Sequence, residues 1–205
     1  MNIITDIHTH HPKPDAIVDI GTGNKNLPDG FLGSAGVHPW HSDQKIDWDK
    51  LSQLISSPYI VAIGECGLDA LHGADMDTQI RIFEKHIELS EQLHKPLILH
   101  CVRTHAKILE MHRSIKPRQE WIFHGFRLRP TIAAALLSEG INLSIGEHFN
   151  EQSLKIIPEE RLFLETDESL LTIQDIASHI SKAVNLIPDY IVNISVNNIK
   201  RACKL

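Results

Sequence analysis

The stretch YIVAIGE, residues 59–65, is an apolar run that ends on an acid, and it opens the most regular part of the chain. It predicts a strand over Tyr59–Gly64 that ends at Glu65. A helix with apolar residues at helical spacing follows, and then a second strand over Pro96–Leu99 that ends at His100. Strands that alternate with helices in this way favour right-handed β-α units and a parallel sheet.

The same alternation extends in both directions from this unit. We predict further strands at residues 3–8, 16–20, 31–37, 121–123, 141–145 and 162–164. Eight strands with helices between most of them predict an α/β fold, specifically a TIM-like β/α barrel. Between His10 and Gly36, proline and glycine are too dense for a helix of ordinary length. The barrel is therefore expected to have a shortened, helix-poor N-terminal part.

Length and composition limit the class of protein. The chain has 205 residues, 42% of them hydrophobic, which predicts a single domain spanning residues 1–205. No run of 18 apolar residues is present to span a bilayer, and the polar start does not resemble a signal peptide, so we expect a cytoplasmic protein. Three cysteines without Cys-x-x-Cys spacing predict neither a disulfide framework nor a thiolate zinc site. The net charge of −6 argues against a protein that clamps long duplex nucleic acid.

Residue types that ligate metals stand at the ends of the predicted strands. One such residue is weak evidence, because a chain with 14 histidines contains a His-x-His pair by chance quite often. The carboxyl ends of the strands in a parallel barrel meet at one mouth, however, and ligand types at most of these ends are hard to attribute to chance. The predicted ligands are His8, His10, Glu65, His100, His124 and Asp167.

This ligand set predicts a two-metal site. Imidazoles and carboxylates without a thiolate cluster leave Mg²⁺, Mn²⁺ and Zn²⁺ as the candidate ions. We predict that His8, His10 and Asp167 hold one ion, that the two later histidines hold the other, and that Glu65 bridges them with its two oxygens. Glu65 and Asp167 are the predicted catalytic residues, Glu65 as the bridge and Asp167 as a proton acceptor.

Other residues near the predicted mouth suit an anionic substrate. Two divalent ions against two carboxylates leave positive charge, which should attract a phosphate. His38 follows the third predicted strand, and Arg103 and Arg127 follow ligand-bearing strand ends, so these three are the predicted substrate-binding residues. We expect Asp69 to cap a loop or to orient a ligand, and Asp6 to lie behind the ligands.

Several short motifs occur in order along nearly the whole chain. They are Asp6-x-His8-x-His10, Gly36-Val37-His38-Pro39, Ile63-Gly64-Glu65-x-Gly67-Leu68-Asp69, Leu99-His100-Cys101, His124-Gly125-Phe126 and Leu164-Glu165-Thr166-Asp167. Together they resemble the TatD family of metal-dependent hydrolases. The resemblance implies a TIM barrel, two divalent ions and phosphodiester hydrolysis, commonly as a deoxyribonuclease acting from DNA ends. It also implies that the family's metal ligands fall on the six residues named above.

The sequence departs from this family pattern around the substrate. The stretch between His10 and Gly36 is shorter than is usual, and Val102 stands where an arginine is common. Glu168-Ser169 follows Asp167 in place of the family's Ser-Pro. All six ligand positions are kept, so the departures concern substrate contacts.

We predict a nuclease or phosphodiesterase for nucleic-acid ends or small phosphodiester substrates, with no membrane partner. One alternative is an amidohydrolase-like enzyme that cuts a C–N or ester bond of a small molecule. Another is a non-catalytic metal-binding protein. If the sheet closes, its first two strands lack helical cover, so we expect exposed apolar surface there and a homodimer through the helix-poor N-terminal face.

Overall fold

Eight parallel strands form one sheet in which each strand pairs with its neighbours in sequence. The computed structural model describes residues 2–205. The strands are β1 (Asp6–Thr9), β2 (Ala16–Asp19), β3 (Leu32–Ala35), β4 (Ile60–Asp69), β5 (Leu97–Val102), β6 (Trp121–Phe123), β7 (Asn142–Ile145) and β8 (Leu162–Leu164). This strand order is that of a β/α barrel, as predicted.

The helices follow the later strands. They are α1 (Trp48–Ile55), α2 (Met76–Leu93), α3 (His105–Ile115), α4 (Pro130–Ser138), α5 (Glu151–Leu154), α6 (Ile173–Val184) and α7 (Pro188–Cys203). Side chains cap the first backbone amides of α1, α2, α5 and α6, as where Asp75 accepts from the Thr78 N–H and where Thr172 and Asp175 form a capping box. Within residues 2–205, none of the helices has the length and apolar character needed to cross a membrane.

The predicted end of the fourth strand was wrong. β4 continues through Glu65 to Asp69, and its last residues pair with β5, Cys66 with Leu99 and Asp69 with Val102. The two glycines in this stretch suggest a turn in the sequence. All residues of β4 are buried, however, so the backbone groups of 66–69 need partners within the protein. Pairing with β5 supplies some of them, and the Gln79 side chain accepts from the Asp69 N–H at 2.8 Å and donates to the Asp69 carbonyl at 2.9 Å.

The helix-poor start is confirmed, because no helix lies between β1 and β3 in the described chain. The prediction of exposed apolar surface over the first two strands was wrong, since every residue of β1 and β2 is buried. The loop between β2 and β3 takes the place of a helix: Leu27 and Phe31 pack against the core cluster that contains Val18 and Ile20. The reason given for a dimer at this face is thereby removed.

Alternation along the strands separates two apolar layers. Leu97 and Leu99 of β5 pack in the layer beneath the helices. Ile98, between them, belongs to an inner cluster with Ile122 and Phe163. The residues that follow the inner positions by two are therefore directed toward the mouth of the barrel.

The last helix closes the opposite, amino end of the barrel. Ile199, Ala202 and Cys203 of α7 join the inner cluster. The Asn198 side chain donates to the backbone carbonyls at the start of β8, at 2.7 Å to Glu159 and 2.7 Å to Leu162. With this end filled, the carboxyl ends of the strands form the open mouth.

Residues just beyond β8 complete the ring by pairing with β1. The Asp167 N–H donates to the His8 carbonyl at 3.0 Å, and the His10 N–H donates to the Asp167 carbonyl at 3.1 Å. Thr9 and Asp167 form the corresponding parallel bridge. Closure of the barrel thus fixes Asp167 beside the His-x-His pair.

Candidate metal centre

Alternation along β5 and β6 brings two histidines to the mouth. His100 lies two residues after the inward Ile98, and His124 lies two residues after the inward Ile122. Only 12% of the His100 side chain and 10% of the His124 side chain are exposed. Both imidazoles are therefore held in the rim of the barrel rather than in solvent.

The end of β1 supplies a second pair of histidines beside an acid. The Nε2 atoms of His8 and His10 lie 3.5 Å and 3.4 Å from Oδ1 of Asp167. Asp167 has a φ of 53°, a left-handed conformation that its two backbone hydrogen bonds to β1 hold in place. These three residues form one group of potential metal ligands.

Glu65 stands between the two pairs of histidines. Its Oε2 lies 3.4 Å from Nε2 of His8 and 3.1 Å from Nε2 of His10. Its Oε1 lies 2.7 Å from Nε2 of His124 and 3.4 Å from Nδ1 of His100. The two carboxylate oxygens therefore face two different groups of imidazoles. All six predicted ligands are brought together at one mouth.

Glycine before Glu65 is required by the approach of β4 to β5. Gly64 has a φ of +149°, and a Cβ at this position would lie 2.6 Å from the carbonyl oxygen of Ile98. A larger residue would push the strands apart. Gly64 therefore lets the backbone carry Glu65 into the middle of the mouth.

Several buried polar atoms of this cluster make no hydrogen bond. They include both ring nitrogens of His8, Nδ1 of His124 and Oε2 of Glu165. Such atoms are costly in a folded protein unless something pairs with them. Candidate ligand atoms of His8, Glu65 and His124 all lie within 4.8 Å of one another. Imidazole and carboxylate donors in this arrangement fit a divalent cation.

The acids and imidazoles also shift one another's protonation. Hydrogen bonds to Asp167, Asp19 and Glu65 raise the pKa of His10 to about 11. Burial lowers the pKa of His8, but the charge of Glu65 and the closeness of the Asp167 and Glu65 carboxylates outweigh it and raise the pKa to about 9. Burial likewise opposes ionisation of Glu65, yet the neighbouring histidines hold its pKa well below its usual range. The carboxylates thus stay ionised, and a cation has to displace protons from the imidazoles.

Two acids that the sequence analysis did not single out orient these histidines. Asp19, at the end of β2, has its Oδ2 3.4 Å from Nδ1 of His10 and accepts from Lys25 at 3.2 Å. Glu165 has its Oε1 3.5 Å from Nδ1 of His124. A carboxylate behind a histidine fixes its ring and tautomer in many metal sites. A signal for Asp19 was present, since it is the residue before the end of the predicted strand 16–20.

Asp69 does orient a histidine. Its Oδ2 lies 3.1 Å from Nε2 of His100 and accepts from the indole N–H of Trp40 at 2.7 Å. Its Oδ1 accepts the backbone N–H groups of Leu71 and His72 at 2.7 Å and 3.1 Å. Asp69 therefore caps the loop and positions His100 at once, so both expected roles hold. Asp6 lies behind the ligands as expected, although its partners are backbone and hydroxyl groups rather than a ligand side chain.

The three predicted substrate-binding residues line one cleft of about 1140 Å³ together with five of the six predicted ligands, the exception being the fully buried His8. Arg103 and Arg127 are exposed at its wall. His38 is less exposed than the two arginines and lies beside the ligands, with Nε2 3.5 Å from Oε1 of Glu65 and 3.1 Å from Nδ1 of His100. It forms a further group of potential ligands with these two residues.

The fold and the site define a β/α-barrel protein with a histidine- and carboxylate-rich candidate metal centre at the mouth of the barrel. A family model described as TatD related DNase matches residues 5–204. The chain therefore belongs to the TatD family, as its motifs predict.

Curated relatives agree with this family. The chain is 34% identical over 164 residues to a protein of Edwardsiella piscicida named 3'-5' ssDNA/RNA exonuclease TatD, with 73% of this chain and 62% of that protein covered. It is 32% identical over 167 residues to an uncharacterized metal-dependent hydrolase of Mycoplasma genitalium, with 72% and 63% covered. The chain thus spans less than two thirds of the length of these relatives.

Solved structures share the fold. A TatD homologue from Escherichia coli superposes with a TM-score of 0.79 at 21% identity, covering 93% of this chain and 86% of the other. A TatD family hydrolase from Entamoeba histolytica gives a TM-score of 0.77 at 20% identity, covering 91% and 83%. These likenesses support the barrel.

Proposed function

We propose that this chain is a metal-dependent phosphodiesterase that acts on nucleic-acid ends or small phosphodiesters. The observation that carries the proposal is the position of Glu65, whose two oxygens face separate groups of imidazoles. A carboxylate with ligands on both sides is suited to bridge two cations. The exonuclease name of the Edwardsiella relative supports nucleic-acid ends as the substrate.

In this proposal His8, His10 and Asp167 would hold one ion, His100 and His124 would hold the second, and Glu65 would serve both. Two Mg²⁺, Mn²⁺ or Zn²⁺ ions bound there would activate a water and stabilise charge on the attacking and leaving oxygens. Asp167 is the proposed proton acceptor, because it lies on the rim with its side chain 39% exposed while Glu65 is only 5% exposed. Glu65 contacts both groups of ligands and so fixes their positions relative to each other.

Substrate phosphate is proposed to bind on the wall that carries Arg103 and Arg127. Both line the cleft and are exposed, so their guanidinium groups can reach a phosphate from solvent. His38 also lines the cleft, with its Nε2 3.5 Å from Oε1 of Glu65, and burial lowers its pKa. A neutral His38 is suited to hydrogen-bond a phosphate oxygen or the leaving group.

The test is a panel of substrates with Mg²⁺, Mn²⁺ and Zn²⁺ supplied in turn. End-labelled single-stranded DNA and RNA and a small phosphodiester are compared with amide and lactone substrates. We expect cleavage of the phosphodiesters, lost in Glu65→Gln and kept in Glu91→Gln, a control on α2 where the acid pairs with Arg118. Faster hydrolysis of an amide or lactone supports the amidohydrolase-like alternative. Metal binding without any hydrolysis supports the non-catalytic one.

We also propose that residues 1–205 act as one domain in the cytoplasm. One sheet contains strands from β1 to β8, and the three cysteines are unpaired, which is typical of a reducing compartment. Limited proteolysis tests the domain, because one resistant fragment is expected.

The homodimer stays a prediction, although the exposed apolar surface that suggested it is not present on β1 and β2. Sedimentation at micromolar concentration tests it.

A further inference from the structure

We propose that Trp40 is a stacking surface for the nucleobase next to the scissile phosphate, so that the site selects phosphodiesters that carry a base. The inference rests on the proposed function and names the part of the substrate that the enzyme recognises. It assigns a role to a residue outside the candidate metal ligands.

Trp40 is an exposed aromatic residue in the wall of the cleft. Trp40 is 52% exposed, and it lines the same cleft as Glu65, His100 and His124. The other two tryptophans are placed differently, Trp121 at 1% exposed and Trp48 partly buried against the core. An exposed indole beside a candidate phosphate-processing site is suited to stack on a base, whose flat face any aromatic ring can cover.

The indole is held in one orientation before any substrate arrives. The indole N–H donates to Oδ2 of Asp69 at 2.7 Å, and the backbone N–H of Trp40 donates to Nδ1 of His38 at 3.1 Å. The ring packs edge-on against His38 with centroids 5.0 Å apart, and at a tilt against His72 with centroids 5.0 Å apart. The preceding Pro39 is buried and begins a short 3-10 turn. A ring fixed in this way loses little conformational entropy when it binds a base.

The distance from Trp40 to the candidate centre fits one nucleotide. The indole lies 6.1 Å from the ring of His100, centroid to centroid, and Nδ1 of His100 lies 3.4 Å from Oε1 of Glu65. A base on the indole therefore has its own phosphate within reach of the ligands. The stacked base is the one next to the bond that is cut.

Trp40 also supports Asp69 through its indole N–H, so a simple alanine variant would mix two effects. Trp40→Phe and Trp40→Leu both remove the N–H and thus weaken the contact to Asp69 equally. Only phenylalanine keeps an aromatic face. The difference between these two variants isolates stacking from the support of Asp69.

The experiment compares two single-stranded oligonucleotides that differ only in their terminal nucleotide, which is normal in one and abasic in the other. We expect the wild-type protein to cleave the base-bearing one with a kcat/KM about tenfold higher or more. Trp40→Phe should keep most of this preference and Trp40→Leu should lose it. Tyr59→Leu serves as control, since Tyr59 is 55% exposed but precedes β4 at the other end of the barrel.

Tryptophan fluorescence gives a readout that does not need cleavage. Without added metal, the base-bearing oligonucleotide should quench wild-type emission more than the abasic one does, and Trp40→Phe should show no such difference. Quenching without hydrolysis of any substrate supports stacking and overturns the proposed function. Equal rates on the two oligonucleotides, or a base preference retained in Trp40→Leu, overturn the stacking role while the phosphodiesterase proposal stands.

Discussion

Thr166 donates its hydroxyl to Oδ2 of Asp6 at 2.6 Å and its backbone N–H to Oδ1 at 3.1 Å, across 160 positions of sequence. Oδ1 of Asp6 also accepts the backbone N–H of His8 at 3.2 Å. This carboxylate therefore ties β1 to the segment after β8 next to Asp167. Closure of the barrel and assembly of the candidate centre depend on the same buried group.

Asp6→Asn is expected to weaken both the closure of the barrel and the candidate metal centre. The variant keeps the size of the side chain but leaves Thr166 with too few acceptors, so the free energy of unfolding should fall by about 1–3 kcal/mol. Affinity for a divalent ion should fall as well, because Asp167 loses its support. Urea unfolding and metal titration measure the two effects. Asp15→Asn is the control, since the side chain of Asp15 accepts a single exposed hydrogen bond, from the Thr5 hydroxyl at 3.3 Å.

The bridging position of Glu65 makes a prediction about metal stoichiometry. We expect the wild-type protein to bind two Mn²⁺ ions and Glu65→Gln to bind fewer than two, because the variant loses the charge that both groups of imidazoles share. Equilibrium dialysis with elemental analysis counts the ions, and circular dichroism checks that the fold persists. Two ions bound as tightly as in the wild type would contradict a shared role for Glu65.

Asp69→Asn is expected to act mainly on His100, because asparagine keeps an oxygen that can accept the backbone N–H groups of Leu71 and His72. Asp69→Asn weakens the contact at Nε2 of His100, and loss of such a partner commonly lowers metal affinity by about 10- to 100-fold. The readout is the dissociation constant of the weaker ion. Asp75→Asn changes an acid at the start of the neighbouring helix, where Asp75 caps α2, and should leave metal affinity unchanged. Equal loss of affinity in both variants would indicate a general loosening of the loop.

Sequence periodicity predicts a part of this site because the physics is local. His100 and His124 are reached by counting two residues from an inward isoleucine, and that count follows from strand geometry alone. The contacts of Asp19 with His10 and of Glu165 with His124 could not be predicted in this way. Each depends on which imidazole faces it across the mouth of the barrel, and this is fixed by the packing of several strands.

Loops and strand ends were the weaker part of the prediction for a related reason. The cover over β1 and β2 comes from Leu27 and Phe31 in a loop without periodicity, so composition indicated exposed surface where the chain covers itself. Glu65 is predicted as a ligand although its strand extends to Asp69. Its chemistry is evident from residue type, whereas the end of its strand depends on pairing with β5.

His86 gives a prediction about stability and pH. It is fully buried on α2, where its Nε2 accepts the backbone N–H of Val37 at 2.9 Å and its Nδ1 donates to the Ile82 carbonyl at 2.8 Å. Burial lowers the pKa of His86 from 6.5 to about 4, so the folded protein holds it neutral while the unfolded chain takes up a proton near pH 6.5. The unfolded state then binds more protons between these two values, and the stabilising contribution, present above pH 6.5, is lost as the pH falls toward 4.

The expected loss is about 2 kcal/mol between pH 7 and pH 5, from 1.36 kcal/mol per pKa unit. His86→Gln keeps an acceptor for Val37 and removes the titrating group. Between pH 7 and pH 5, the free energy of unfolding of the variant should therefore fall by about 2 kcal/mol less than that of the wild-type protein. Urea unfolding at both pH values measures the difference, with His179→Gln on the exposed side of α6 as the control. Parallel pH dependence of the wild-type protein and His86→Gln would mean that His86 is protonated as readily in the folded chain as in the unfolded one.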